Sequence, residues 1–327
     1  MIDIEREPLK PRALFLVKCG RTNGLGHLRR SLILSNAMQS YGWTCSFGLS
    51  DLDAVPENIL AQISAQLWIG AGLNLGPADI IVFDGYEISP EIYDKWKNRS
   101  QVRLKIDDHA SEPREVEIVL NHNVYGNTLD YSNYCCSSIL AGVEFSLIDP
   151  LFFSLYGNKK PSEKYILISF GNTDDGCFAL PVASQILEIT PDSIIDLAIP
   201  QIKQSNQVLK NLQKKYSGRI NIDKSGSLFE AMSRASFYVG AGGVTALEAI
   251  ASGVEPVLCS IVDNQKLNIM AFKSLGYATT GIYDASFLAQ TIATKLKYKN
   301  KIPDRLIDDL GPKRIIEALK KHLTEET

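Results

Sequence analysis

The sequence of 327 residues predicts an α/β protein with parallel sheets, built as two units of similar size. Short apolar runs alternate with segments of helical spacing, and the runs end in glycine-rich or polar turns. A polar stretch over 156–164 separates two such series. We therefore expect an N-terminal domain over 1–156 and a C-terminal domain over 165–327.

The first series begins with the apolar run 13–17, which is typical of a buried parallel strand. A glycine-rich loop over 20–26 follows, and from His27 the apolar residues recur at helical spacing. The other strands predicted in this series lie at 79–83, 102–106 and 118–120.

The second series begins with the run 165–170, which leads into a polar turn over 171–176. Its further strands are predicted at 194–198, 220–222, 237–239 and 256–259. The tail, 313–323, has helical spacing, and this last helix is a candidate to pack back on the N-terminal domain.

Composition excludes several classes of protein. Hydrophobic residues make up 45% and charged residues 22%, so the chain can bury sizeable cores and is neither disordered nor collagen-like. A net charge of −3 argues against a non-specific nucleic-acid binder. The sequence has no apolar stretch of membrane-spanning length and no secretory leader pattern. We expect a cytoplasmic protein without nucleic-acid partner or membrane insertion, and the oligomeric state is left open.

Cysteines and histidines do not predict a metal site. The six cysteines are scattered without metal-ligand spacing, which indicates reduced thiols, although the adjacent Cys135 and Cys136 could form a vicinal disulfide. The four histidines include no i, i+4 pair, and neither a serine nor a cysteine nucleophile motif occurs. No metal and no organic cofactor are expected.

The first candidate site is the loop Gly24–Gly26 with His27 and Arg30 behind it. Its glycines allow close backbone approach to a ligand, and the helix start offers free N–H groups to an anion. His27 at this positive helix end is favoured as a neutral base, and Arg30, one turn on, is expected to face the same ligand. The alternative is a plain turn.

The second candidate site follows the strand 237–239. Gly242 and Gly243 precede a helical run, so they predict a cradle for a diphosphate, to which Thr245 adds a hydroxyl donor. Glu248, one turn in, is placed to accept from sugar hydroxyls. The spacing is not that of a nicotinamide-binding motif, and close helix–sheet packing is the alternative role for the glycine pair.

Three further groups are candidates at strand ends. Gly171 and Asp174 follow the strand 165–170 and are expected to line a ligand site, with a simple polar loop as the alternative. The amides of Asn264 and Gln265 are candidates to form hydrogen bonds with hydroxyl or acetamido groups of a sugar or, alternatively, to cap a helix. The third group comprises Asp84, Tyr86 and the segment Asp107-Asp108-His109. Asp84 is a candidate to orient a base or accept a sugar hydroxyl, Tyr86 is a candidate phenol donor, and Asp108 is a candidate to bind substrate. A metal site is the less favoured alternative for this group.

These motifs together resemble a known family. Their order along the chain is similar to that in the nucleotide-sugar hydrolase of pseudaminic acid biosynthesis, which acts on UDP-2,4-diacetamido-2,4,6-trideoxy-β-L-altropyranose. The segments that carry the resemblance are Gly24-x-Gly26-His27-x-x-Arg30, Asp84-x-Tyr86, Asp107-Asp108, Ser169-Phe170-Gly171-x-x-Asp174, Gly242-Gly243-x-Thr245-x-x-Glu248 and Asn264-Gln265.

The resemblance implies a GT-B fold, in which two Rossmann-like domains face a central cleft. It implies UDP at Gly242, Gly243, Thr245 and Glu248, with the sugar near His27, Tyr86 and Asn264. It further implies that His27 is the catalytic base for water attacking the anomeric carbon, with Tyr86 beside it, and that no metal is required.

Further functions of the same fold remain open at the level of sequence. An inverting glycosyltransferase would use the same base with a sugar hydroxyl in place of water, so the motifs do not separate it from a hydrolase. A nucleotide-sugar binder without catalysis and an epimerase are also compatible with the motifs.

Overall fold

A computed structural model describes most of the chain. The described residues are 10–20, 25–53, 55–68, 74–158, 162, 164–171, 174–203, 205–223, 228–298 and 306–325. They form two compact units: unit 1 comprises Met1–Leu147 with Leu310–Thr327, and unit 2 comprises Ile148–Asp309. Among the described residues, no helix combines the length and apolar character needed to cross a bilayer.

Unit 1 alternates strands and helices along its first part and ends with a helix from the chain terminus. Its elements are β1 (Arg12–Val17), α1 (Gly26–Ser40), β2 (Thr44–Leu49), α2 (Glu57–Leu60), β3 (Ala65–Leu67), β4 (Ile80–Asp84), α3 (Pro90–Trp96), β5 (Val102–Ile106), β6 (Ile118–Asn121) and β7 (Ser138–Ala141), with the terminal helix, called α11 below, at Gly311–Glu325.

Unit 2 has the same alternation. Its elements are α4 (Pro150–Leu155), β8 (Tyr165–Ser169), α5 (Ala179–Ile189), β9 (Ile194–Ala198), α6 (Gln207–Lys215), β10 (Ile220–Asp223), α7 (Phe229–Arg234), β11 (Phe237–Ala241), α8 (Val244–Ala251), β12 (Glu255–Cys259), α9 (Lys266–Ser274), β13 (Ala278–Thr280) and α10 (Ala285–Tyr298).

Each unit contains one sheet with parallel strands, which confirms the predicted α/β class. The sheet of unit 1 has seven strands in the order β3-β2-β1-β4-β5-β6-β7, and that of unit 2 has six in the order β10-β9-β8-β11-β12-β13. The central strands are apolar and buried on both faces, as in β4, where every residue is buried. Helices cover these faces, as parallel crossovers require.

The strand order reverses once in each sheet. In unit 1 the reversal lies between β1 and β4, where Val17 is paired with Asp84, and in unit 2 between β8 and β11, where Ser169 is paired with Gly240. Crossovers leave such a point in opposite directions, which opens a crevice at the carboxyl ends of the two strands. The residues after these four strands therefore have room to meet a ligand.

The boundary between the units differs from the predicted linker. The division lies at Leu147 and Ile148, before α4, whereas the sequence suggested a linker after it. The reason is packing: α4 lies against α7 and α8 of unit 2, with the rings of Phe152 and Phe229 6.1 Å apart.

The terminal helix α11 belongs to unit 1. Its residues Ile315, Ile316 and Leu319 are fully buried in the same apolar core as β1 and α1. The helix begins at Gly311, where a Cβ atom would collide with the backbone oxygen of Ser146. This close approach requires glycine and fixes where the helix docks on the unit.

We expect Gly311→Ala to destabilise unit 1 by about 1–3 kcal/mol, because the added methyl group overlaps backbone that cannot move aside. The measurement is urea unfolding followed by tryptophan fluorescence. The signal reports unit 1, because the three tryptophans of the chain, Trp43, Trp68 and Trp96, all belong to it. Gly76→Ala is the matched control, since no atom lies within 4 Å of its Cβ position. Equal midpoints for the two variants would contradict the docking argument.

Candidate functional site

The first candidate site lies at the strand reversal of unit 1. Gly26 opens α1 after the loop that follows β1, and His27 is the second residue of that helix. Asp84 ends β4, the neighbouring strand. The reversal in strand order therefore brings together residues separated by more than fifty positions. Gly24, the first glycine of the predicted loop, lies outside the described residues.

His27 is held by a buried carboxylate. Its Nδ1 lies 2.9 Å from Oδ1 of Asp84, and the histidine and the aspartate are 7% and 0% exposed. An ionised carboxylate only accepts hydrogen bonds, so Nδ1 carries the proton and donates it. The second ring nitrogen, Nε2, is then the unprotonated one. This arrangement orients the imidazole and leaves Nε2 as a proton acceptor.

Arg30 occupies the centre of the cluster. Its Nε and Nη2 donate to the two oxygens of Asp84 at 2.9 and 2.6 Å, and its Nη1 donates to Oδ1 of Asp108 at 2.7 Å. The side chain is 8% exposed. The sequence predicted that Arg30 would face an anionic ligand, that Asp108 would bind substrate, and that Asp84 would orient a base or accept a sugar hydroxyl. The structure instead pairs these three side chains with one another inside the unit.

Tyr86 connects the cluster to the surface. Its hydroxyl donates to Oδ2 of Asp108 at 2.8 Å, and its ring meets the His27 ring edge-on, with centroids 4.9 Å apart. The residue is 38% exposed, so one part of the ring reaches solvent. Tyr86 is therefore the member of the cluster best placed to touch a ligand next to His27.

The charges in the cluster shift several pKa values. Burial raises the pKa of Asp84, but the charge of Arg30 and the hydrogen bonds from His27 and Arg30 outweigh it and bring the value to about 2. The pKa of Asp108 is likewise held well below its ordinary value by Arg30, against the effect of burial. Burial and then the charge of Asp108 raise the pKa of Tyr86. Both carboxylates are thus ionised and the phenol is protonated at neutral pH.

Two residues near the cluster, His122 and Asn123, were not among the predicted site residues, and a third, His109, was considered only as part of a metal site. Nε2 of His122 lies 3.0 Å from Nη1 of Arg30, and Asn123 donates to Asp108 at 2.8 Å. Burial and the Arg30 charge lower the pKa of His122 to about 4, so it is neutral. The ring of His109 stacks on Tyr86 at 5.6 Å. Their position in the sequence could have identified them as site residues, because each lies within three residues after the carboxyl end of β5 or β6.

The loops around Tyr86 and His109 contain backbone strain. Glu87 and Ala110 have positive φ values of 56° and 51°, which are uncommon for residues other than glycine. Lys18 supports the first of these loops by donating from Nζ to the Glu87 carbonyl at 2.7 Å. Such conformations cluster at functional sites because the surroundings must compensate for their cost.

The second candidate site lies after β11 in unit 2. Gly242 packs closely, since a Cβ there would lie 2.6 Å from Cδ1 of Ile269, whereas the Cβ position of Gly243 has no atom within 4 Å. No side chain of the described part of unit 2 caps the start of α8. Thr245 and Glu248 are half-buried on its first turns. The helix start therefore presents backbone N–H groups beside an open position.

Asp174 has an internal role in the structure. Its Oδ1 accepts from the backbone of Gly176 at 2.9 Å and Phe178 at 3.2 Å, and its Oδ2 accepts from Ala179 at 3.2 Å. These bonds cap the start of α5, so the carboxylate predicted to bind ligand is satisfied by the protein. Gly171, which follows β8 with φ of 93°, has open space around its Cβ position.

Gln265 is also bonded locally. Its Oε1 accepts from the backbone of Ile261 at 3.1 Å, which stabilises the loop after β12 and gives this amide a structural role. Asn264 belongs to the short 3₁₀ helix Asp263–Gln265, and its side chain lies outside the described part of the structure.

The candidate metal ligands of the sequence have protein partners. Asp107 pairs with Lys105 at 2.9 Å, whereas the adjacent Asp108 pairs with Arg30. Within the described ranges, Asp174, Asp175 and Cys177 bring three possible metal donors together. Because the Asp174 oxygens already accept backbone hydrogen bonds, this group does not resemble a vacant ligand set.

The chain is similar in sequence to a nucleotide-sugar hydrolase and in fold to several solved structures. UDP-2,4-diacetamido-2,4,6-trideoxy-β-L-altropyranose hydrolase from Campylobacter jejuni subsp. jejuni serotype O:2 is 25% identical over 208 residues, which cover 62% of this chain and 73% of that protein. This similarity confirms the resemblance drawn from the motifs. No protein-family profile matches the chain.

Solved structures agree on the fold. The co-structure of S. aureus MnaA with UDP superposes with a TM-score of 0.63 at 11% identity, covering 96% of this chain and 97% of that one. A glycosyltransferase from Rickettsia africae ESF-5 superposes with a TM-score of 0.58 at 13% identity, covering 97% of each chain. The chain has the GT-B fold, as the resemblance implied.

We expect unit 1 to lose stability as the pH falls from about 4 to about 2. The pKa of Asp84 is about 2 in the folded protein and about 4 in the unfolded protein. The ionised carboxylate therefore stabilises the fold above pH 4, and this stabilisation is lost as the pH falls and the carboxylate takes up a proton. Tryptophan fluorescence in urea measures the effect. The Asp84→Asn variant should be less stable than the wild type at pH 7, and its free energy of unfolding should change less between pH 4 and pH 2. Asp94→Asn, at an exposed position on α3, should keep the wild-type slope.

Asp174→Ala should destabilise unit 2 by about 1–2 kcal/mol, similar to the loss of a helix N-cap, because backbone N–H groups at the start of α5 lose their acceptor. Faster hydrogen–deuterium exchange in α5 would register the loss. The control is Asp175→Ala, which removes an exposed neighbour that accepts from the backbone of Cys177. If Asp174→Ala instead weakened UDP binding while α5 exchange stayed unchanged, the capping assignment would be wrong.

Proposed function

We propose that this protein hydrolyses a UDP-linked diacetamido-trideoxy sugar, releasing UDP and the free sugar in nonulosonic (pseudaminic) acid biosynthesis. The observation that carries the proposal is the contact between His27 Nδ1 and Asp84, which leaves Nε2 as a base. The similarity to the Campylobacter hydrolase supplies the substrate class.

The proposed reaction uses water as the nucleophile. The water oxygen forms a bond to the anomeric carbon, and the bond between that carbon and the UDP oxygen breaks with its electron pair leaving on UDP. Nε2 of His27 accepts the proton from water and later releases it to solvent. The cluster that contains His27 has two buried carboxylates and one guanidinium, and Asp84 contacts the ring directly, so a positive charge on the imidazole is favoured at that moment.

We assign the UDP part of the substrate to the start of α8 in unit 2. The uncapped N–H groups next to Gly243 and the positive end of the helix suit a diphosphate, whose negative charge grows as the bond breaks. Thr245 adds a hydroxyl donor, and Glu248 is a carboxylate acceptor for sugar hydroxyls. The UDP bound to MnaA, a protein of the same fold, is consistent with this ligand.

Transfer to an acceptor sugar is the second outcome that the same base would allow. Structural relatives named as glycosyltransferases share the fold, and at their low identity they bear on the fold alone. The two reactions differ only in the attacking oxygen. An assay without acceptor therefore separates them.

The test is incubation with UDP-2,4-diacetamido-2,4,6-trideoxy-β-L-altropyranose in ¹⁸O-labelled water, without acceptor. UDP release with the label in the sugar is expected, because water attacks carbon. UDP release only after an acceptor is added would identify a transferase, and label in the phosphate would contradict cleavage at carbon.

His27→Gln should lower this turnover by about 10²–10⁴-fold, because the general base is lost, while the affinity for UDP in calorimetry stays within about threefold. The matched control is His322→Gln on α11, whose imidazole bonds Ser138 instead of Asp84, and it should retain wild-type turnover. Comparable turnover in both variants would remove His27 from the mechanism.

A further inference from the structure

Five side chains of unit 1 form a closed circuit of contacts. His27 bonds Asp84, Asp84 bonds Arg30, Arg30 bonds Asp108, Asp108 bonds the hydroxyl of Tyr86, and the Tyr86 ring returns to the His27 ring. Two members, His27 and Tyr86, are those expected to touch substrate. Tyr86 is exposed, whereas the other four members are buried.

Charge counting shows why the circuit needs its second carboxylate. Asp84 and Asp108 contribute two negative charges and Arg30 one positive charge, so the circuit has a net charge of −1 while His27 is neutral. When His27 accepts a proton, the net charge becomes zero. Without Asp108, Arg30 alone would neutralise Asp84, and proton uptake by the imidazole would lose its compensation.

Arg30 also competes with Asp84 for Nδ1 of His27. Its Nη2 lies 2.9 Å from Nδ1 of His27, the same distance as Asp84 Oδ1. If Arg30 donated to Nδ1, the ring proton would move to Nε2, and the imidazole could no longer accept a proton there. Asp108 and Asp84 hold the guanidinium from two sides, so its N–H groups are directed to carboxylates.

We propose that Asp108 is a positioning residue for the base: it anchors Arg30 and Tyr86 so that the Asp84 carboxylate remains available to His27 Nδ1. Asp108 does not touch substrate in this role. The inference rests on the proposed function only in treating His27 as the base, and it assigns to Asp108 a role that differs from the substrate binding expected from the sequence.

The neighbouring Asp107 provides a matched control. Both aspartates are buried after β5, at 5% and 6% exposure, and both pair with a buried cation. Asp107, however, bonds Lys105, the hydroxyl of Tyr134 and the backbone N–H of His109, none of which belongs to the circuit. Substituting each aspartate by asparagine therefore removes one buried carboxylate and breaks one buried ion pair, and only one of the two substitutions affects the circuit.

The first measurement is the protonation pattern of the histidine rings by ¹⁵N NMR. The chain has four histidines, so selective labelling and His→Gln variants assign each pattern. Wild-type His27 is expected to hold its proton on Nδ1. In Asp108→Asn the pattern should shift toward Nε2–H, whereas Asp107→Asn should match the wild type. Wild-type His27 with its proton on Nε2 would overturn the inference without any variant.

The second measurement is steady-state UDP release. Asp108→Asn should lower kcat by about 10–100-fold with KM changed less than about threefold, because the loss concerns proton acceptance and not ground-state binding. Asp107→Asn should change kcat by less than about threefold. Asp108→Glu, which retains the charge, should restore the Nδ1–H pattern and part of the rate, and it replaces Asp108→Asn if that variant does not fold.

The outcomes separate this inference from the proposed function. If the wild type releases no UDP from any sugar nucleotide, the proposed function fails, and the NMR comparison still decides the role of Asp108. If the wild type hydrolyses the substrate but Asp108→Asn equals Asp107→Asn in both measurements, the positioning role is wrong and the hydrolase remains.

Discussion

The buried guanidinium of Arg30 is the interaction on which the site of unit 1 depends. Two ionised carboxylates that are 0% and 6% exposed would repel each other and pay a large desolvation cost without a cation between them. Arginine suits the position because its planar fork binds Asp84 through two nitrogens and still reaches Asp108 with the third. Since His27 lies one turn away on the same helix, the pairing also fixes the imidazole.

The two units use the same topological position in different ways. In unit 1 the strand reversal is filled with charged side chains, and the imidazole is oriented by them. In unit 2 the start of α5 is closed by Asp174, whereas the start of α8 has no side-chain cap among the described residues. The strand reversal of unit 1 thus presents oriented side chains, whereas that of unit 2 presents backbone N–H groups.

Sequence reasoning predicted most of the interior strands and missed β2 and the edge strands β3, β7 and β13. The strands β5 and β9 coincide with the predicted ranges, because most of their residues are apolar and each strand has a parallel neighbour on both sides. The strand β2 was not predicted, since Thr44, Ser46 and Gly48 interrupt its apolar pattern. Its identity comes from pairing with β1 along its whole length, a tertiary property that local patterning does not contain.

The sequence names the residue types of the candidate site in unit 1 but not the partners of each side chain. A motif gives the spacing between His27 and Arg30, but the partners of Arg30 lie 54 and 78 positions away. Whether a buried polar side chain faces a ligand or another side chain depends on those distant partners, and a local motif is the same in both cases. In the proposed mechanism, Asp84 and Asp108 therefore act in the site without contacting substrate. Their charges set the protonation pattern of the one imidazole that the proposed chemistry needs.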